Sequence, residues 1–430
     1  MGETTEYKLS DLFNLQMGKT PSRNNAEFWS DGEYKWISIA DLTKTGKYIS
    51  ETKELLSQKA IDESGIAVIP TNTVVMSFKL SIGKTAITSE DMYSNEAIMS
   101  FHDRHVTELL PEYIYYLLLA QRWDEGANKA VMGMTQNKAT LSNRKVRIHS
   151  IIAQKSIVER LDKLQKLIDD RKTQLDELET LIKARFVEMF GDPLAGTEKW
   201  SFQTVGDVAD SVDPQPSHRT PPVVEGGIPY VSMKDCNYKN GTIDFAGARK
   251  VSPDVLVEHH NRYELHNGDF IIGKIGTIGN PIFVPKRDDY ALSANVVLIQ
   301  PNSSKVSPYF LKETFESSFV ERQFLDAKNS TSQAAFGIKK VRNIKIMNPD
   351  MKTQMEFENF AIQVDKLKVE VQSIFLNCDS RSIFRYAQSI KGCKIEKYER
   401  RCSFDTKREC HRGNEKKWWI CYLSAIKSDC

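Results

Sequence analysis

Apolar residues recur at alternating spacings of three and four along one long stretch: Ile157, Leu161, Leu164, Ile168, Leu175, Leu178 and Ile182. Arg171 interrupts the series, and Lys, Arg, Asp and Glu fill the positions between. This is the a/d pattern of a heptad repeat. Gly and Pro are absent from Ala153 to Phe190, and Gly191-Asp-Pro193 then closes the run as a helix stop. The pattern predicts a helix of 38 residues, about 57 Å long at 1.5 Å per residue. Phe357, Phe360, Val364, Leu367, Val371 and Ile374 repeat the pattern later in the chain. A seam this narrow must be buried against another helix. The simplest arrangement is an antiparallel coiled coil of the two helices within one chain. The alternative, each helix packed on its own globular domain, calls for a broader apolar stripe.

Elsewhere the apolar runs are short and separated by Gly, Pro, Asn and Ser. Ile66–Ile69, Thr73–Met76, Asp269–Ile272 and Val296–Ile299 read as strands, because short apolar runs between turn residues fit buried strands. Pro111 opens a helical pattern that runs to Ala120, where its missing N–H costs nothing. The mixture argues for α/β (α+β) globular domains.

These segments occur twice. Tyr34–Asp41 matches Ile228–Asp235, and Val74–Gly83 matches Phe270–Gly279. Thr135-Gln136 matches Ser332-Gln333, Lys145–Arg147 matches Lys340–Arg342, and Asp162–Leu164 matches Asp365–Leu367. A period near 196 residues is too long for a solenoid and means a duplicated domain-plus-helix unit. Two similar globular domains are therefore expected at 1–150 and 193–350. Helices at 151–192 and 351–377 would separate them, and 378–430 would form a divergent tail.

Composition changes the picture at the tail. The formal net charge is +2. Residues 378–430 hold 13 Lys/Arg and 7 Asp/Glu, so the preceding residues carry a net of −4. Global charge gives no argument for nucleic acid, which must come from local arrangement. Six of the seven cysteines (Cys378, Cys393, Cys402, Cys410, Cys421 and Cys430) also lie in the tail. The body, with Cys236 alone, fits a reduced, cytoplasmic protein. The N-terminus has no secretory h-region, and no apolar run is long enough to cross a membrane.

Catalytic signals are weak. Gly18-Lys-Thr20 and Gly83-Lys-Thr85 lack the upstream Gly of a phosphate loop, since Phe13 and Phe78 stand there. The glycines of Gly273–Gly279 suit a tight strand-to-strand turn. His259, His260 and His266 lack the spacing of a helical metal pair and read as surface histidines. The tail cysteines lack C-x-x-C, which argues against zinc. No metal or cofactor is expected in this chain.

Binding remains. Polar strand-and-loop segments recur in both copies. Ser77, Lys79 and Lys84 correspond to the Lys274 and Thr277 segment, and Thr135, Gln136 and Asn137 to Ser332 and Gln333. Gln and Asn suit adenine edges; Lys and Arg suit guanine edges or phosphate. Lys19 joins this candidate set, and Arg144, Lys145, Lys339 and Lys340 are candidate phosphate contacts near the helix bases. Two similar but unlike domains on stiff helices would read a split, asymmetric DNA sequence. An enzyme fused to a reader would need a catalytic motif, and none is found. A coiled-coil scaffold whose lobes bind proteins rather than DNA is the other alternative.

Leu9–Ser22, Trp36–Asp41, Ser77–Gly83, Met134–Gln136 and Ala184–Pro193 resemble the specificity (S) subunit of type I restriction-modification systems, over roughly residues 7–377. The resemblance implies two target-recognition domains, each reading one half of a split double-stranded DNA site, and two spacer helices. It implies a non-catalytic scaffold for two methyltransferase (M) subunits, joined by restriction (R) subunits. S-adenosylmethionine, ATP and Mg then belong to those partners. The tail departs from the family, because the Leu- and Glu-rich helix gives way to a Cys-, Arg- and Trp-rich sequence near Asn377. Out-of-frame translation or an appended module explains the change, and reading the coding DNA in its other two frames separates them.

Overall fold

The computed structural model describes residues 4–377 apart from 122, 124–127, 131–132, 136, 197–198, 216–218, 239–240, 275–278 and 330–336. The tail lies outside the described residues. The chain divides into two compact units, with the boundary after Ile168, inside one continuous helix. Each unit is built on a mainly antiparallel sheet, with one parallel edge strand, Tyr48–Ile49 beside Thr85–Thr88, in the first. In the first, five strands lie in the order Phe13–Met17, Ile98–Asp103, Val74–Ser77, Thr85–Thr88 and Tyr48–Ile49. In the second, four lie in the order Ala209–Val212, Val296–Pro301, Phe270–Gly273 and Gly279–Phe283.

The duplication is visible strand by strand. Val74–Ser77 pairs with Ile98–Asp103, and Phe270–Gly273 pairs with Val296–Pro301, both antiparallel. Tyr34–Ile37 runs parallel to Tyr93–Ser94, and Ile228–Val231 runs parallel to Ala291–Leu292. The next turn is closed the same way in each copy. Ser38 with Asp41, and Ser232 with Asp235, form capping boxes, which satisfy N–H groups that a helix start leaves open. Gly83 and Gly279 both adopt positive φ, at 90° and 81°. The turn glycines thus serve the conformation the sequence implied.

Three sequence expectations are corrected. Ile66–Ile69 is not a strand; Ile69 alone pairs, with Met92, because Pro70 has no N–H to extend the ladder. Lys145–Arg147 and Lys340–Arg342 are not counterparts. The first lies on the strand Lys145–His149 and the second on the helix Ile338–Arg342. The strand's counterpart is Lys345–Met347, because Lys8 faces Lys145 as Thr204 faces Lys345. Asp162 and Asp365 are likewise out of register, because Gln154 and Gln354 occupy the same place in their helices.

The long helices run Ile151–Phe190 and Met351–Asn377. In the second unit they pack antiparallel. Phe186 and Phe190 face Phe357 with ring centroids 5.4 and 5.6 Å apart, Arg185 lies over Phe360, and Lys368 pairs with Glu179. Rising numbers on one helix thus meet falling numbers on the other. Leu178, Ile182, Phe360 and Val364 complete this seam.

The seam also serves the lobes, as the domain-packed alternative required. Phe186 stacks on Phe310 and Phe190 meets it edge-on, and Ile157 joins the first lobe's core. Leu161 and Ile168 are buried, while Leu164 and Leu175 are half-buried. Leu367 is 50% exposed, which corrects its assignment to a buried seam: Lys368 and Val364 take the inward positions beside it. Val371 is half-buried, and the side chain of Ile374 lies outside the described residues.

Where the helix Pro308–Glu316 meets both long helices, the interior is charged. Lys312 lies 2.5 Å from Glu316 and 3.8 Å from Glu313; Lys183 lies 3.7 Å from Glu316; Lys368 holds Glu179 and Asp365. Four carboxylates share three lysines. Glu313 is buried, and burial pushes its carboxyl up to about 7, against the pull of Lys312 and with the push of Glu316 and Glu179. A folded-state value above the ordinary one gives stability that is complete below about pH 4.5 and is lost as pH rises through about 7. Glu313→Gln should therefore flatten the decline in stability between pH 5 and 8.5, a change on the order of 2 kcal/mol. Denaturant unfolding at both pH values reads this, and parallel slopes for the variant and the parent would refute it.

Candidate nucleic-acid interface

In the first lobe the fold joins two segments that the sequence keeps far apart. The strand Lys79–Leu80 pairs with Gly133–Thr135, placing Lys79 opposite Thr135, and Asn128–Ala130 completes a three-stranded ribbon. Lys79 Nζ sits 5.2 Å from the Phe78 ring centroid, so the cation of this half-buried side chain lies beside an aromatic face. Gln136 and the side chain of Thr135 lie outside the described residues.

The other first-lobe candidates sort by what their side chains already do. Ser77 is buried; its hydroxyl donates to the Ser81 carbonyl and accepts from the Lys84 N–H at 3.1 Å. That corrects Ser77 from a base reader to a brace of the turn carrying Lys79, with half-buried Lys84 as its backbone partner. Asn137 caps the helix Lys138–Ser142, accepting from the N–H and hydroxyl of Thr140 at 2.8 Å each. Its carbonyl oxygen is thus committed to the cap. Lys19 donates to the Ser64 carbonyl.

The basic candidates flank a groove of about 670 Å³. Arg144 stacks 5.7 Å from the Trp123 ring centroid, and Lys145 lies 2.8 Å from Glu6. Arg147 is exposed beside them. Lys145 holds the Glu6 carboxyl below the usual carboxylate range, but both side chains are exposed, and such a pair contributes little. Tyr113 and His149 line the groove 2.8 Å apart. Burial raises the phenol to about 12 and lowers the imidazole. The rim therefore carries the positive charge and the floor is neutral, an arrangement suited to a phosphate backbone passing at the edge.

The second lobe does not copy this chemistry. Lys274 is 4% exposed and lies 2.7 Å from Asp213, which corrects its assignment as a DNA contact. It occupies the position that buried Phe78 holds in the first lobe. Asp213 and the lysine stem make the substitution tolerable, since a buried charge needs a partner. Thr277, Ser332 and Gln333 lie outside the described residues. Lys339 is exposed and Lys340 half-buried on the helix Ile338–Arg342. His259 is also corrected. It is fully buried, 2.6 Å from Gln215 and 2.9 Å from the Tyr263 hydroxyl, and burial lowers it to about 4. His260 and His266 are exposed.

Two residues escaped the sequence reading. Gln154 and Gln354 sit in the first turn of each long helix, 0% and 1% exposed. The signal was available: both are glutamines at one position of a duplicated helix.

A family model described as the type I restriction modification DNA specificity domain matches residues 1–180 and again 197–373. The chain belongs to that family. The MjaIX type I restriction enzyme specificity subunit of Methanocaldococcus jannaschii is 26% identical over 189 residues, 43% of each protein. The EcoR124I/EcoR124II specificity subunit of Escherichia coli is 27% identical over 174 residues, 39% of this chain and 42% of that one. These alignments span less than half the length of either relative. The crystal structure of a type I restriction-modification S subunit from M. genitalium superposes with a TM-score of 0.53 at 12% identity, covering 91% of this chain and 97% of that one. At that identity the likeness is one of fold.

Within the specificity-domain fold, the exchange of Phe78 for Lys274 tests how far the two copies have diverged. Lys274→Ala should cost about 3 kcal/mol by stranding Asp213, whereas Lys274→Phe with Asp213→Met should be close to neutral. Chemical denaturation of both variants decides this, and an Ala variant as stable as the parent would show that the ion pair is dispensable.

Proposed function

We propose that the chain is the DNA-reading specificity subunit of a type I restriction-modification complex. Residues 1–150 and 193–350 act as two target-recognition domains, each reading one half of a split, asymmetric double-stranded DNA site. The observation that carries the reading is the twofold match to the specificity domain, one copy in each lobe. Two different lobes favour two different half-sites. In the first lobe, Lys79 and the Arg144, Lys145 and Arg147 rim supply phosphate and base-edge contacts. The chain has no catalytic role of its own. It works in the cytoplasm as a scaffold for two methyltransferase subunits, which bring S-adenosylmethionine and take the target adenine out of the stack. Restriction subunits bring ATP and Mg. The long helices act as the spacer between half-sites.

The test is a genome-wide map of methylated adenines with and without this gene. The expected result is one split motif that disappears with the gene. Inserting one heptad, about 10.5 Å, into both helices should lengthen the gap of that motif by about three base pairs at 3.4 Å each. A map that does not depend on the gene would overturn the DNA-reading role, and an unchanged gap would overturn the spacer role.

A further inference from the structure

Each long helix leaves its lobe through the same buried glutamine. Gln154 accepts from the Leu110 N–H at 3.0 Å and donates to the carbonyls of Glu108 and His149, both at 2.9 Å. Gln354 accepts from the Ser307 N–H at 2.9 Å and donates to the Pro349 carbonyl at 2.8 Å. Leu110 and Ser307 are the N-caps of the helices Pro111–Leu119 and Pro308–Glu316. His149 and Pro349 belong to the chain entering each long helix. One side chain therefore joins the lobe's own helix to the first turn of the long one, once in each copy.

A second attachment lies further along each helix. Asp162 accepts from the Tyr116 hydroxyl at 2.6 Å and from Lys47 at 2.6 Å. In the second copy Glu358 accepts from the Ser307 hydroxyl at 2.6 Å. These carboxylates do not occupy equivalent positions, yet each gives its helix a second polar tie to its own lobe. From Gln154 to Asp162 is about 12 Å along the axis, and from Gln354 to Glu358 about 6 Å, at 1.5 Å per residue. One tie leaves a rod free to pivot, whereas two ties at different heights restrict its direction.

We propose that Gln154 with Asp162, and Gln354 with Glu358, are positioning residues that set the direction of each long helix against its lobe, and through it the gap length the chain accepts between half-sites. The inference rests on the DNA-reading role proposed above. The seam supplies the length of the strut, and these ties supply its angle. Loosening them should leave each lobe able to hold its half-site while blurring the distance between the two.

The test uses the full chain in its complex with the methyltransferase subunits. It measures binding to duplexes that carry the mapped half-sites at the preferred gap and at one base pair more or less. The variants are Gln154→Ala with Gln354→Ala, and separately Asp162→Ala with Glu358→Ala, which leaves the buried glutamines in place should the first pair fail to fold. The expected result is that discrimination between the preferred gap and its neighbours falls by about tenfold, about 1.4 kcal/mol, with affinity for a duplex holding a single half-site unchanged. Discrimination equal to the parent's in a folded variant would overturn the proposal. So would an equal loss of single-half-site affinity, which would mark the residues as general supports of the lobes. A parent complex that discriminates no gap and binds no split site would instead defeat the underlying DNA-reading role.

Discussion

A polar side chain sealed from water must find a partner for every donor and acceptor, or its burial destabilises the fold by about 1–3 kcal/mol. Gln154 meets that demand with all three groups, and Gln354 with its carbonyl and one N–H, at the point where each long helix leaves its lobe. An amide has a carbonyl and two N–H groups at fixed angles. When these are bound to two separate backbone segments, the segments lose their freedom to move past one another. The helix start, the incoming strand or loop and the lobe's own helix are thus held as one piece. The same device appears in both copies although the residues around it differ, Leu110 beside Ser307 and His149 beside Pro349.

The long helices carry two kinds of burial at once. Phe186 and Phe190 meet Phe357 on the partner helix and Phe310 on the lobe. A single aromatic cluster therefore fastens helix to helix and helix to lobe. The seam residues that looked from spacing alone like a plain coiled-coil stripe are shared between these tasks. That sharing explains why Leu161 is buried beside the first lobe while Leu367 stands half in solvent. Charged groups fill the remaining gap where the helix Pro308–Glu316 inserts, and Glu313 holds its proton there because burial disfavours one more negative charge.

The two lobes keep their backbone and change their chemistry. Capping boxes at Ser38 and Ser232, positive φ at Gly83 and Gly279, and matching strand orders preserve the frame. The side chains on it diverge, as Phe78 and Lys274 do at one buried place. A frame that stays constant while its surface varies suits a pair of readers for unlike targets.

Hydrophobic spacing determined the long helices, because a period of three and four in apolar residues has few other uses. The Gly-, Pro- and Ser-bounded apolar runs determined most of the sheet strands, and repetition determined the twofold architecture. Sequence also picked out the two segments carrying Lys79 and Thr135, though not that they are neighbours. Tertiary structure alone decided which polar residues are free to act. Ser77, Asn137 and Lys274 have the residue types of a DNA contact, yet a turn, a helix cap and a half-buried carboxylate already occupy them. His259 has the type of a surface residue and lies fully inside. Register was decided there too, since Lys145 and Lys340 match as letters but one sits on a strand and the other on a helix. The physical reason is common to all of these. Periodicity is a local property of the chain, whereas burial and hydrogen-bond partnership depend on segments tens to hundreds of residues away, which only the folded chain brings within 3 Å.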